Sequence, residues 1–266
     1  MAIIIQFSSL FVTIHAQLIF LLGLYFSLFD KNTSRIMPVL FYIVGSELLW
    51  RGFGANIFWE YAKYSTMIII LISITRVGLN KMKNKVGFYI LLLLLPSFLI
   101  LTEFNRQAVS HSMSGPFLLG VSILFFSNQI ITKGILAKQL ISLSLPIITL
   151  LSLMLISTFK FGEFDVYAAY VKEYTTAGVG PNQASNILGL GVLAIFLLYV
   201  IKRNYLFIYL ILGLLMLFQT TITHSRGGFW NTLIAISFSI IFLLNRKKDR
   251  LKFLAGFILN LFLWPL

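Results

Sequence analysis

Long runs of uncharged, apolar residues decide what this chain can fold into. Several runs exceed about twenty residues, which at 1.5 Å per residue is the length of a helix that crosses a bilayer. Charged residues make up only 11% of the 266 residues, whereas a soluble domain has about 25%. Lipid offers the backbone no hydrogen-bonding partner, so such runs predict spanning helices. We therefore expect an all-α, polytopic integral membrane helix bundle.

The apolar runs divide the chain into about ten candidate transmembrane helices. Six are free of charge, two shorter ones carry charges at one end, the first is a single helix or a broken pair, and the last stops at "LFLWPL". In chain order they are 4–29, 36–50, 58–75, 87–102, 112–132, 139–158, 183–201, 204–223, 227–245 and 253–266. Residues 1–266 are predicted to form a single transmembrane domain, truncated at its C-terminus.

Lysine and arginine are sorted between the two ends of these predicted spans. One set of connecting segments has fifteen basic and two acidic residues and consists of 30–36, 76–86, 131–138, 201–204 and 245–252. The other set has six of each and consists of 47–63, 103–115, 159–182 and 224–226. The net charge of +13 therefore lies on one side, which the positive-inside rule assigns to the cytoplasm. Because membrane topology explains this charge, no nucleic-acid partner is expected. The N-terminus faces outward if 4–29 is one helix and inward if it is a hairpin.

Charged residues on the outward side lie close to apolar helices, where charge is costly and tends to be paired or functional. In "GSELLWRGFGANIFWEYAKY", residues 45–64, Glu47 and Arg51 are four apart and Glu60 and Lys63 are three apart. Both spacings allow an ion pair on one helix face. The segment is therefore consistent with two local ion pairs at the interface. It is also consistent with an anion site of Arg51 and Lys63, oriented by the two glutamates.

A second outward segment is "TEFNRQAVSHSMSGPFLLG", residues 102–120. It places Arg106 and His111 in a predicted short loop. Gly115 and Pro116 follow and are predicted to open the next helix, because proline is favoured in a first helical turn.

A third segment, "TTAGVGPNQASNILGLG", has four residues that suit turns and caps before an apolar helix. These residues are Gly178, Gly180, Pro181 and Asn182. The pattern predicts a turn and a helix N-cap, and exposed amides at such a helix start also favour an anion.

The fourth segment, "TITHSRGGFWNT", interrupts the apolar chain with His224, Ser225, Arg226 and two glycines. Arginine keeps its charge near lipid and presents a planar fork to phosphate oxygens. Arg226 is therefore either an interfacial arginine among lipid headgroups or a phosphate ligand, while His224 alone favours a structural role. The glycines leave room for a bulky ligand or for close helix packing.

The sequence has no Walker loop, dinucleotide fingerprint, HExxH or GxSxG pattern. No cluster of acids suited to a metal is evident, and the inward loops are too short for a nucleotide-sugar domain. We therefore expect no metal site and no cofactor.

Together the four segments resemble a known family. "ELLWRGFGANIFWEYAKY", "FNRQAVSHSMSGPFLLG", "GVGPNQASNILGLG" and "THSRGGFW" resemble, in that order, the bacterial O-antigen ligase and polymerase family. This family includes the polysaccharide repeat-unit polymerases of capsule and exopolysaccharide pathways. The resemblance covers roughly residues 40–245.

The resemblance implies a glycosyltransferase-C-like fold in the bacterial inner (cytoplasmic) membrane and a metal-independent enzyme. Such enzymes take a glycan from an undecaprenyl-pyrophosphate carrier at the outer face of that membrane. They pass it to a glycan or lipid acceptor, with no nucleotide sugar. The partners implied are this lipid-linked oligosaccharide, its acceptor and membrane lipid.

The resemblance also assigns roles to individual residues. The candidate catalytic residues are Arg226, Arg51 and Glu60, with Arg226 and then Arg51 as ligands of the pyrophosphate. The candidate substrate-binding residues are Lys63, Arg106, Gly180, Pro181, Asn182, His224 and Ser225. A fixed cation there stabilises the charge that develops on the leaving pyrophosphate.

One departure from the family concerns the general base. Family members continue with a large outward loop that carries a histidine or a further arginine, so the acceptor's base is missing here unless His224, His111 or Glu60 replaces it. The alternatives are a flippase or transporter of lipid-linked oligosaccharides, a non-enzymatic membrane scaffold, or an inactive fragment. A transporter is expected to show internal repeats and charges at mid-membrane, and neither is evident in the sequence.

Overall fold

The computed structural model describes residues 2–30, 33–77, 86–94, 106–127, 129–161, 176, 178–202, 206–223 and 225–244. Side chains are described in these ranges except at 2–8, 77, 106–111, 160–161, 206, 226 and 241–244. This part of the chain forms nine α-helices and no strand. The helices are α1 Ala2–Phe29, α2 Thr33–Gly52, α3 Tyr61–Val77, α4 Val86–Leu93, α5 Arg106–Phe126, α6 Lys133–Phe161, α7 Pro181–Lys202, α8 Leu206–Ile222 and α9 Arg226–Leu244.

Within the described ranges, three helical segments are long and apolar enough to cross a membrane. They are Ser9–Phe29 of α1, Lys133–Phe159 of α6 and Pro181–Lys202, which is α7. Shorter apolar segments lie in α5, α8 and α9. The predicted all-helical bundle is thus confirmed, and its apolar helices support a membrane protein. The number of about ten spans stays a prediction.

Most predicted segments coincide with observed helices. The segment 183–201 corresponds to α7 and 227–245 to α9, with ends that differ by one or two residues. Residues Ala2–Phe29 form one continuous helix, so the alternative of an N-terminal hairpin is wrong. Of the predicted span 87–102, the structure describes a helix only to Leu93. The predicted span 253–266 lies outside the described residues.

The start of α5 is a correction to the sequence analysis. Gly115 and Pro116 do not open this helix, because α5 already begins at Arg106 and Pro116 lies in its interior. The backbone at Arg106 and His111 is therefore helical and does not form a loop. An internal proline frees a carbonyl of the preceding turn, but apolar helices tolerate this where neighbouring groups satisfy that carbonyl.

Helices α1, α2, α3 and α5 pack around one apolar core. At one end of this group, Arg76 Nη1 of α3 donates to the backbone carbonyls of Ser27 (3.0 Å) and Asp30 (2.8 Å). The Thr33 hydroxyl donates to the Gln129 side chain at 2.6 Å. We call this end of the bundle the Arg76 end. The core above it includes Ala16, Ile36, Ile43, Trp50, Ile69, Ile70 and Val121.

Helices α2, α6, α7 and α8 form a second apolar core, so α2 contributes to both. A Cβ atom at Gly45 of α2 would lie 2.5 Å from the Leu143 carbonyl oxygen of α6. Only glycine therefore permits this close approach of the two helices. Helix α4 packs on α5, and α9 packs on α7. The second core includes Leu48, Leu143, Ile147, Leu150, Leu188, Val192 and Met216.

The opposite end of the bundle collects a second set of charges. The C-terminal end of α2 meets the N-terminal ends of α3 and α7 there, as the contacts of Arg51 described below show. We call it the Arg51 end. Arg35 and Arg76 lie at the Arg76 end, with Asp30 bonded to Arg35 at 3.0 Å. The described charges of α1, α2, α3 and their connections are thus separated between the two ends, as the sequence predicts.

Candidate functional site

Arg51, in the last turn of α2, connects three parts of the Arg51 end. Its Nη2 donates to the Glu47 carboxylate one turn earlier and to the backbone carbonyl of Trp59, which precedes α3. Its Nη1 donates to the side-chain carbonyl of Gln183 in α7 at 3.2 Å. The side chain is only 11% exposed. Arg51 is therefore a fixed cation whose guanidinium links α2, α7 and the segment before α3.

The Arg51 guanidinium also stacks on an aromatic ring. Its Cζ atom lies 4.0 Å from the centroid of the Trp59 ring, which is a cation–π contact. The Trp59 side chain is itself 54% exposed, so the ring forms part of the outer surface at this end. Arginine suits this position because its planar group can stack and donate several hydrogen bonds at once.

Glu60 and Lys63 form the second ion pair of this end. Glu60 is 3% exposed, and its Oε1 accepts hydrogen bonds from Lys63 Nζ at 3.0 Å and from the Ser114 hydroxyl of α5 at 2.8 Å. Lys63 Nζ also lies 3.4 Å from Ser114 Oγ. The buried carboxylate thus joins the start of α3 to α5, while the Lys63 side chain is 31% exposed.

The two ion pairs act as one electrostatic cluster. The charges of Arg51, Lys63 and Glu60 all act on the Glu47 carboxylate. The local ion pairs predicted from the sequence are both present, at the predicted spacings. They do not exclude the anion-binding alternative, since both cations are held in place by the two glutamates. Anion binding itself stays a prediction.

The start of α7 has the predicted turn and cap. Gly178 has a φ of 76°, a left-handed conformation that glycine adopts without strain. The Gly180 carbonyl accepts from the backbone N–H groups of Gln183 (2.9 Å) and Ala184 (3.0 Å), and Pro181 is the first helical residue. A Cβ atom at Gly180 would meet nothing within 4 Å. The predicted helix start is confirmed, and the space beside Gly180 is open.

Asn182 and Ser225 connect the starts of two helices. The Ser225 hydroxyl donates to Asn182 Oδ1 at 2.9 Å, and Ser225 is 7% exposed. Asn182 belongs to the first turn of α7, and Ser225 directly precedes α9. The two helices run in the same direction from this bond, so their N-terminal ends lie side by side.

The two glycines after Arg226 have different surroundings. A Cβ atom at Gly228 would lie 2.1 Å from Ser185 Oγ and 2.7 Å from the Ser185 backbone carbon, whereas one at Gly227 would meet nothing within 4 Å. One turn further, a Cβ atom at Gly189 would lie 2.0 Å from Thr232 Oγ1. Gly228 therefore serves close helix packing, and Gly227 leaves open space. Close helix packing is thus observed at Gly228, and a ligand beside Gly227 stays a prediction.

Several predicted site residues lie outside the described parts. His224 is outside them, as are the side chains of Arg226, Arg106 and His111, although the latter three have a described helical backbone. Arg226 is the first residue of α9. The Arg226 backbone therefore follows Ser225, which is bonded to Asn182 in the first turn of α7. The roles predicted for these four side chains stay predictions.

Sequence reasoning missed three polar residues at this end. Gln183 accepts a hydrogen bond from Arg51, and Ser114 donates one to Glu60. Glutamine and serine are common near helix ends, so the sequence did not single out either residue. His15 of α1 binds the indole of Trp50. A histidine within an otherwise uncharged helix is an unusual residue at membrane depth, so the sequence did contain a signal for His15.

Among the described side chains, no group of three or more His, Asp or Glu is placed to hold a metal ion. The Arg51 end instead holds two cations, Arg51 and Lys63, each paired with a glutamate, beside the adjacent starts of α7 and α9. In comparisons with protein-family models, curated proteins and solved structures, nothing matches the chain.

Proposed function

We propose that this protein is a metal-independent membrane glycosyltransferase that polymerises or ligates oligosaccharide units. The donor is an undecaprenyl-pyrophosphate-linked oligosaccharide at the outer face of the bacterial inner membrane, and the acceptor is a glycan or lipid. The observation that carries the proposal is the convergence of predicted site residues at one end of the bundle. Arg51 bonds to Gln183, and Asn182, the residue before Gln183, bonds to Ser225.

The first support is electrostatic. The N-terminal ends of α7 and α9 lie side by side, and each contributes a partial positive charge and backbone N–H donors. The Arg51 guanidinium reaches the same first turn of α7. A diphosphate is an anion with several acceptor oxygens, which fits such a combination of donors.

The second support is the shape of the backbone at the helix starts. Gly180 and Gly227 have open space where a side chain would lie. In contrast, Gly228 holds α9 tightly against Ser185 of α7. The two helix starts are thus closely packed, while no side chain that the structure describes covers the surface beside Gly180 and Gly227. Preorganised donors of this kind stabilise charge that develops in a transition state.

The third support is membrane orientation. Arg35 and Arg76 lie at the Arg76 end, and the positive-inside rule then places that end in the cytoplasm and the Arg51 end outside. Because α1 is one helix that runs towards the Arg76 end, it begins on the outer side. A lipid-linked oligosaccharide presented at the outer face would reach the Arg51 end.

Glu60 is the candidate base for the acceptor hydroxyl among the described residues. Its carboxylate is buried and already accepts hydrogen bonds from Lys63 and the Ser114 hydroxyl. A carboxylate that accepts from a serine hydroxyl has the geometry to accept from a sugar hydroxyl that displaces it. The proton would then move from the acceptor oxygen to Glu60 as that oxygen bonds to the transferred sugar, and the sugar–pyrophosphate bond would break with its electron pair leaving on the pyrophosphate.

The substitution Arg226→Lys tests the proposal. A lysine keeps the charge but loses the planar fork that binds two phosphate oxygens, so we expect glycan polymerisation to be abolished while the protein still inserts. Chain lengths on a silver-stained gel and membrane fractionation give the two measurements. The matched control is Arg35→Lys, because Arg35 is 66% exposed at the Arg76 end. Normal chain lengths in the Arg226→Lys strain would overturn the proposal.

A further inference from the structure

His15 of α1 is held between two side chains of α2. The Trp50 Nε1–H donates to His15 Nδ1 at 3.0 Å, and His15 Nε2 lies 3.2 Å from the Tyr42 hydroxyl. Trp50 is 0% exposed. Its ring packs edge-on against His15 at 6.2 Å and against Tyr61 of α3 at 5.8 Å between centroids. The indole N–H is thus buried with His15 as its acceptor.

This arrangement requires one protonation state of the imidazole. An indole nitrogen can only donate a hydrogen bond, so Nδ1 of His15 must carry no proton. The proton of the neutral ring then lies on Nε2, which donates to the Tyr42 hydroxyl. Protonation of Nδ1 would place two N–H groups against each other and leave the buried indole without an acceptor, which is costly in an apolar interior.

Trp50 belongs to the turn that places Arg51. The Trp50 carbonyl accepts from Ala55 N at 2.9 Å, and the Arg51 carbonyl accepts from Gly54 N at 2.9 Å. Gly54 has a φ of 66° and reverses the chain at this point. Both carbonyls close the same turn, so Trp50 and Arg51 belong to one hydrogen-bonded backbone unit.

Helix α1 holds the following segment at two further points. The Thr13 hydroxyl accepts from Asn56 N at 2.8 Å, and the Tyr61 hydroxyl donates to Gln17 Oε1 at 3.1 Å. No group in these two hydrogen bonds takes up a proton between about pH 8 and about pH 5. Among these described contacts of α1, the one through His15 is therefore the one that changes with proton uptake.

We propose that neutral His15 is a positioning residue for Arg51, which it fixes through Trp50, and that protonation of His15 releases this constraint. The consequence for catalysis rests on the proposed function, in which Arg51 binds the pyrophosphate. The groups that face the imidazole are Tyr42 and Trp50 from α2, and Tyr61 from α3 faces Trp50. Within the described residues no carboxylate is bonded to the His15 ring, so an imidazolium there has no anionic partner.

A first experiment observes Trp50 directly. The full chain is labelled with ¹⁵N-tryptophan in nanodiscs, and the Trp50 indole signal is assigned with Trp50→Phe. Between about pH 8 and about pH 5, across the range in which histidine titrates, we expect this signal to shift. It should stay unchanged in His15→Asn, because the asparagine oxygen can accept from Trp50 in place of Nδ1 and does not titrate. The proposal is overturned if the Trp50 indole signal does not shift with pH, or if it shifts equally in His15→Asn.

A second measurement connects this contact to sugar transfer. In the native chain we expect polymerisation to fall roughly tenfold between the same two pH values, since one buried hydrogen bond is lost. His15→Asn should retain activity at both pH values, and His15→Leu should be low at both. Loss of activity in His15→Asn at all pH values would assign His15 a merely structural role. If the Trp50 signal behaves as expected but no variant transfers sugar, the coupling of His15 to Trp50 stands and the proposed function fails.

Discussion

Arg51 at the end of α2 and Gln183 in the first turn of α7 are joined by a side-chain hydrogen bond of 3.2 Å across 132 positions of the chain. This bond brings together two segments that the sequence singled out separately. It makes the first turn of α7, with Asn182 and the open surface at Gly180, part of the surroundings of a fixed cation. The Arg51 end is therefore one polar cluster built from several helix ends.

Replacing Arg51 by lysine tests whether its planar group is needed. A lysine cannot bond to Glu47, the Trp59 carbonyl and Gln183 while also stacking on the Trp59 ring. We expect polymerisation to drop roughly tenfold or more, because at least one charge-assisted hydrogen bond is lost. Glycan chain length and transfer rate in membranes give the measurement. Arg35→Lys should leave both unchanged, and wild-type activity in Arg51→Lys would show that charge alone suffices.

The neighbouring glycines Gly227 and Gly228 provide a matched pair for stability. In Gly228→Ala the new methyl group would meet Ser185 at 2.1 to 2.7 Å, so α7 and α9 must separate, whereas in Gly227→Ala it enters open space. We expect Gly228→Ala to lower the free energy of unfolding by about 1–3 kcal/mol and Gly227→Ala to change it by less than about 0.5 kcal/mol. Unfolding by SDS in mixed micelles, followed by tryptophan fluorescence, measures both. Equal stabilities of the two variants would contradict the close helix crossing.

The bond between Ser225 and Asn182 can be measured by a double-mutant cycle. We expect Ser225→Ala and Asn182→Ala to show a coupling of about 0.5–1.5 kcal/mol in the free energy of unfolding, since each variant removes the same hydrogen bond. Ser239 serves as the control, because the bond that the structure describes for its hydroxyl is to the Ala235 carbonyl of its own helix. Ser239→Ala should therefore be additive with Asn182→Ala. A coupling near zero between Ser225 and Asn182 would mean that the starts of α7 and α9 are not tied together.

The sequence predicted most helices because in lipid the backbone has few alternatives to helix. Runs such as 183–201 and 227–245 contain no charged residue, so their predicted boundaries were clear. The prediction failed at Pro116, where a residue that usually opens or ends a helix lies in the interior of α5. The loss of one backbone hydrogen bond there is small beside the cost of leaving a whole turn unpaired in lipid.

The sequence by itself determined the helical class, the separation of charge between two ends, and the local ion pairs of Glu47 with Arg51 and Glu60 with Lys63. These follow from lipid as the solvent and from helical periodicity, which act over a few residues. Only the tertiary structure brought Arg51 to Gln183, Ser225 to Asn182 and His15 to Trp50. Such contacts depend on which helices pack together and at what depth. Close approaches at residues such as Gly45 and Gly228 help to decide which helices pack together. The sequence around each glycine does not show which helix it will contact.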